Sequence, residues 1–155
     1  MHYAGAGAPY GGVTEPVQQP FSGNVTAPVA ARIPADFPVE SFLRSAKTTF
    51  IRLQAANDRK DLNDIREYTT PEIFAEISMQ LQERGDAPQR TDVVSVNTEL
   101  LEVVTENGYA IASVRMSGQL RENNGTLEDF DEIWHVQKYL KDDNSVWLLA
   151  GIQQV

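Results

Sequence analysis

The spacing of apolar residues changes near Pro88 from about 3.6 residues to 2, so a helical part of the chain precedes a strand part. Before Pro88, one apolar stripe at helical spacing predicts a first helix that ends near Asn57; the stripe consists of Val39, Phe42, Leu43, Ala46, Phe50 and Leu53. We predict that Asp36 caps this helix and that Pro38 occupies its first turn.

Two further helices are predicted before the strand part begins. The second is short and covers residues 62–68. Thr70 followed by Pro71 is a strong start signal for the third, because threonine caps and proline fits the first helical position. Gly85 is suited to the left-handed residue that ends a helix.

Four strands are predicted after Pro88, over residues 93–106, 109–121, 127–140 and 146–154. Asn107-Gly108 and Asn124-Gly125 are typical of tight hairpins, and residues 142–144 form a third turn. Short turns force an antiparallel order, and strands of this length twist, so the sheet should curl around the helices.

The predicted fold class is therefore α+β, with N-terminal helices packed on a curved four-stranded antiparallel sheet. This order of elements is that of the conical roll of the nuclear-transport-factor-like and cystatin-like type. Such a roll often encloses a pocket between its helices and its sheet. We assign the folded domain to residues 36–155 and a flexible, Gly- and Pro-rich linker to residues 1–35.

Composition excludes several classes of function. The chain has 155 residues and a net charge of −9, which disfavours nucleic acid as a partner. It has no cysteine and two histidines, so thiolate chemistry is absent and a zinc site built from several imidazoles is not available within one chain. We expect no metal, no cofactor and no catalytic residues. No stretch approaches the roughly 20 apolar residues that span a membrane.

The exposed side of the first helix is basic in an otherwise acidic chain. Its cations surround the apolar residue Ile51, and they are Arg44, Lys47, Arg52 and Arg59. We predict that this surface contacts anionic lipid or a partner protein. The alternative is an ordinary surface whose cations pair with acids such as Glu40 and Asp58, which contributes little.

Six aromatic side chains are candidates for the lining of an apolar pocket: Phe50, Tyr68, Phe74, Phe130, Trp134 and Trp147. Aromatic residues at these spacings either line a cavity or form plain core. Both tryptophans are expected to be largely buried. On the third strand Asp131 and His135 share the face opposite Trp134, too far apart along the strand to touch directly.

The order of several short motifs resembles that of the Tim-forty-four-like (Tim44-like) domain family. The motifs are Phe42-Leu43-x-x-Ala46-Lys47-x-x-Phe50-x-x-Leu53-Gln54-x-Ala56, Asp61-Leu62, Arg66-x-Tyr68-x-Thr70-Pro71-Glu72, Glu132-Ile133-Trp134 and Trp147-x-Leu149-x-Gly151-Ile152. The resemblance spans roughly residues 38–154. The family includes the C-terminal domain of a mitochondrial inner-membrane import-motor subunit and bacterial relatives. The resemblance implies the α+β roll and peripheral association with an inner membrane, partly through anionic lipid.

The sequence favours a non-enzymatic, membrane-proximal binding or scaffold domain that engages lipid, an apolar ligand or a partner protein. Its expected partners are anionic lipid or a membrane protein, with homo-oligomers as a further possibility. Its expected location is the inner (cytoplasmic) membrane, through a segment that this chain lacks. One alternative is a small pocket enzyme of isomerase or dehydratase type that uses Asp131 or His135. The other is a homodimerisation module that uses the open face of the sheet.

Overall fold

The computed structural model describes residues 32–155. The predicted linker, residues 1–35, therefore lies outside the described residues except for its last four positions. Within those four, Ile33 packs against the hydrophobic core.

Within residues 32–155, three helices precede four strands, as the sequence predicts. The helices are α1 (Val39–Arg59), α2 (Leu62–Glu67) and α3 (Pro71–Arg84). The strands are β1 (Thr91–Glu106), β2 (Tyr109–Glu122), β3 (Leu127–Tyr139) and β4 (Leu148–Gln154). The three pairings between these strands are antiparallel and the strand order is β1-β2-β3-β4, so the α+β fold class is confirmed.

Local capping chemistry explains the start of α3 but not the start of α1. Thr70 caps α3 as predicted, because its hydroxyl accepts a hydrogen bond from the Ile73 amide at 3.4 Å. The prediction that Asp36 caps α1 is wrong. Pro38 occupies the cap position without a side-chain bond, because a turn closed by the Phe37 amide on the Pro34 carbonyl precedes the helix.

The hairpins use residues that tolerate positive φ. Asn107 and Gly108, with φ of 53° and 83°, form the β1–β2 turn as predicted. In the β2–β3 turn the two central residues are Asn123 and Asn124, with φ of 54° and 61°. The turn therefore begins one residue earlier than Asn124-Gly125, and the Gly125 amide closes it on the Glu122 carbonyl at 2.9 Å.

Within residues 32–155, the helices pack against one face of the sheet, the inner face, and the opposite face is the outer face. Inner-face residues of β2 and β3 form the centre of the core, which includes Ala112, Val114, Met116, Leu120, Phe130, Trp134 and Val136. β1 carries bulges at Val93/Ser95 and Leu100/Glu102, which bend a strand and increase its twist. Beside the first bulge the backbone of β1 passes so close to Gly118 that a Cβ there would lie 2.1 Å from the Ser95 oxygen.

The inner face also holds a buried carboxylate. Glu132 is 2% exposed, and its Oε1 accepts a hydrogen bond of 2.9 Å from the Trp134 indole. Gln154 donates to the other carboxylate oxygen at 3.3 Å. These donors supply hydrogen bonds in place of water, so the acid is tolerated within the core.

Candidate functional site

A cleft opens between the start of the described chain, the N-terminal half of α1 and one end of the sheet. Its volume is about 550 Å³. It is lined by Pro34, Asp36, Phe37, Pro38, Ser41, Phe42, Ser45, Val103, Thr105, Ala110, Lys138, Leu140 and Trp147. This volume falls within the range of about 300–1,000 Å³ that is usual for small-molecule sites.

Three aromatic rings form one wall of the cleft in edge-to-face contacts. The centroids of Phe42 and Trp147 are 5.0 Å apart, and Phe37 lies 5.2 Å from Phe42 and 6.2 Å from Trp147. Trp147 owes its position to β4, which follows it directly. The backbone of Leu149 bonds to Tyr68 and Thr70 in the α2–α3 connection at 2.8 and 3.0 Å.

A small apolar cavity of about 30 Å³ lies behind this wall. It shares Phe42, Ser45 and Trp147 with the cleft and extends to Met116 and Trp134. A space of this size and lining offers a water molecule few hydrogen-bond partners, and apolar cavities of this kind stay dry. The shared side chains therefore separate a solvent-open cleft from an apolar interior.

The structure divides the six predicted aromatic candidates into three groups. Trp147 lines the cleft, and Trp134 lines the cavity behind it, where it is 1% exposed; Trp147 is less buried. Phe50 and Phe130 stack on each other in the core with centroids 5.1 Å apart. The remaining two rings lie under arginines, with Arg52 over Tyr68 at 5.0 Å and Arg66 over Phe74 at 4.5 Å.

The basic surface predicted on α1 separates into a free part and a paired part. Arg44, Lys47 and Ile51 are exposed, and within residues 32–155 neither of these two cations has an ion-pair partner. Arg44 and Lys47 lie in the same half of α1 as the cleft residues Ser41 and Ser45.

The paired part of this surface faces α2. Arg52 donates to both carboxylate oxygens of Asp64, at 2.7 Å from Nη2 and 3.0 Å from Nε, and these hydrogen bonds lower the pKa of Asp64. Arg59 lies 3.5 Å from Asp61. The pairing that the sequence offered as the alternative thus occurs for two of the four cations, with Asp64 of α2 and its N-cap residue Asp61 as the partners.

The outer face of the sheet carries the two residues considered for an enzyme. His135 Nδ1 lies 2.9 Å from the Ser113 hydroxyl, and its Nε2 lies 3.4 Å from the Gln153 amide oxygen. Asp131 accepts hydrogen bonds from the Arg115 guanidinium, which lower the pKa of this carboxyl. The sheet separates Asp131 and His135 from the cleft, so they bring no acid–base pair to it.

The sequence patterns did not assign Phe37 or Lys138 to a site, although both residues line the cleft. The signal for Lys138 was available, because strand alternation places it in the same phase as Trp134 and Val136 on the inner face. A charged residue in an apolar phase of a strand is unusual enough to mark a candidate site.

Comparison with known protein families identifies one match. The family model described as Tim44-like domain matches residues 26–154. No curated protein matches the chain. Within residues 32–155, no helix has the length and apolar character needed to cross a membrane.

Proposed function

The chain belongs to the Tim44-like domain family, and on this basis we propose that it is a membrane-proximal binding domain whose cleft binds the aliphatic chain of a lipid. Membership of this family suggests a membrane-associated binding or scaffold role. The proposal adds a location for the ligand and a chemical class.

The observation that carries the proposal is the cleft of about 550 Å³ with its wall of three aromatic rings. Removing an aliphatic chain from water contributes about 0.8 kcal/mol for each buried methylene group. The apolar cavity behind Phe42 and Trp147 offers additional depth if those rings shift. A polar ligand would leave its hydrogen-bonding groups unpaired against such a wall.

Electrostatic attraction of the two free cations of α1 to anionic lipid would bring the cleft close to a membrane. Arg44 is adjacent in sequence to the cleft residue Ser45, and Lys47 lies two positions further. Each basic residue near an anionic bilayer contributes about 1 kcal/mol, and the contribution falls with salt. These two residues favour the approach of this end of α1 to the lipid headgroups.

The experiment uses a brominated monoacylglycerol, which is uncharged and quenches tryptophan fluorescence on contact. We expect quenching of the wild-type protein below the concentration at which the probe aggregates. Ser45→Leu adds a branched side chain at the cleft wall and should weaken binding about tenfold or more. The matched control is Thr48→Leu, which adds the same side chain to an exposed position of α1 that does not line the cleft.

Circular dichroism and urea unfolding show whether both variants fold as the wild type does. Two results would contradict the proposal. One is the absence of quenching in the wild-type protein. The other is equal binding by folded Ser45→Leu and folded Thr48→Leu, which would place the probe outside the cleft.

A further inference from the structure

Lys138 is the one basic residue in the lining of the cleft as the structure describes it. It belongs to the inner face of β3, pairs across the sheet with Ala110, and is half-buried. Its neighbours in the same phase of the strand are Val136 and Trp134, both buried. The charge therefore lies where the fold otherwise places core side chains.

Within residues 32–155, no acid forms an ion pair with Lys138. The one other ionisable residue on the cleft lining is Asp36, which is exposed and not within ion-pair distance of the lysine. Glu132, the buried charged residue in this phase of β3, accepts hydrogen bonds from Trp134 and Gln154. Within residues 32–155, the side chain of Lys138 has neither a hydrogen bond nor an ion pair.

An ammonium group that lacks an ion-pair partner is stabilised by an anion that enters the cleft. We propose that Lys138 binds the anionic head of the ligand, so that the cleft selects a single-chain amphiphile with a carboxylate or phosphate group. This inference rests on the proposed function and names the class of lipid that the cleft takes. The competing explanation is that the lysine stem covers apolar surface while its head stays in water.

The test compares two brominated probes with the same chain, a fatty acid and its uncharged methyl ester. We expect the wild-type protein to bind the acid about tenfold more tightly or better, as for a hydrogen bond to a charged group. Lys138→Met keeps the length of the side chain and removes the charge. It should abolish the preference for the acid, so that acid and ester bind with equal affinity.

Lys141→Met is the matched control, because Lys141 is an exposed lysine three positions along that does not line the cleft. It should retain the preference of the wild type. Equal binding of acid and ester by the wild-type protein would overturn the role of Lys138. So would a preference that persists in Lys138→Met. If neither probe binds, the proposed function itself fails, so the two failures are distinguishable.

Two sources supply such an anion, and separate arms of the experiment distinguish them. The soluble arm uses the brominated fatty acid alone. The membrane arm uses vesicles of uncharged phospholipid that contain a brominated anionic lysophospholipid, which has a single chain. If quenching depends on Lys138 in the soluble arm alone, the ligand is a free fatty acid. If quenching depends on Lys138 in the membrane arm, the ligand is a membrane lipid. Its absence from both arms overturns the proposal.

Discussion

Replacing Trp134 by alanine removes the largest fully buried side chain of the core. Three contacts are lost with it. The indole packs on Phe50 with ring centroids 5.1 Å apart, it lines the cavity behind the cleft, and its N–H donates to Glu132 at 2.9 Å. The first two are apolar contacts, whereas the third satisfies a buried carboxylate.

The magnitude follows from these contacts. A buried tryptophan removes roughly 150–250 Å² from water, which at about 25 cal/mol per Å² corresponds to roughly 4–6 kcal/mol. Burial relative to an extended chain overstates this value, and measured Trp→Ala changes in cores lie at about 3–5 kcal/mol. The lost hydrogen bond to Glu132 adds a smaller amount, because Gln154 still donates to the carboxylate. We expect a loss of about 4 kcal/mol in the free energy of unfolding.

Urea unfolding followed by circular dichroism measures this loss without depending on tryptophan fluorescence. Trp134→Phe keeps a ring against Phe50 and removes the indole donor, so it should cost about 2 kcal/mol. Trp147→Ala is the comparison at a half-buried position of the cleft and should also cost about 2 kcal/mol. A loss below about 1 kcal/mol for Trp134→Ala would refute the assignment of this side chain to the core. A greater loss for Trp147→Ala than for Trp134→Ala would refute it equally.

Three further predictions concern the sheet, the α1–α2 pair and the basic surface. Gly118→Ala should lower the free energy of unfolding by about 2 kcal/mol or more, because its Cβ would lie 2.1 Å from the Ser95 carbonyl oxygen, whereas Gly151→Ala should stay within about 0.5 kcal/mol. The Arg52 guanidinium lowers the pKa of Asp64, so its stabilisation is present above the unfolded pKa of about 3.9 and is lost as pH falls through the folded value. Asp64→Asn should therefore be less stable than the wild type at neutral pH, and urea unfolding should show the difference closing below about pH 4. Arg44→Gln/Lys47→Gln should pellet less with anionic vesicles at low salt, by about fivefold for each free cation removed, and equal pelleting with the wild type would exclude this surface. The control Arg52→Gln/Arg59→Gln alters the cations that already pair with α2 and should pellet nearly as the wild type does.

The parts of the fold that the sequence predicted are those governed by local chemistry. Asn107-Gly108 specifies a tight turn because both residues tolerate positive φ. Thr70 before Pro71 starts α3 because its hydroxyl reaches a free amide. The prediction for Asp36 failed because the same local rule had to compete with the turn at Pro34, which fixes the chain before α1.

Ion pairing and cavity formation depend on the distances between helices and strands. The spacing of apolar residues along the chain gives no information on those distances. The helical period placed Arg52 and Arg59 on an exposed surface of α1, but the position of α2 decides that Asp64 and Asp61 are their partners. Likewise, no sequence pattern separates Phe50, which stacks in the core, from Phe42, which borders the cleft on the same helix. Such assignments require the packed structure.

The strand period does contain one signal for the site, in the alternate positions of β3. Phe130, Trp134 and Val136 are apolar and buried, whereas Glu132 and Lys138 interrupt this phase with charge. A charged residue in an apolar phase is compatible with the fold where a neighbouring group satisfies it. The indole of Trp134 satisfies Glu132 in this way, through its hydrogen bond to the carboxylate. Lys138 interrupts the same phase at the open end of the sheet, and no ion pair within residues 32–155 compensates it. The compensation then has to come from a ligand or from water, and the preference for an anionic over an uncharged probe decides between them.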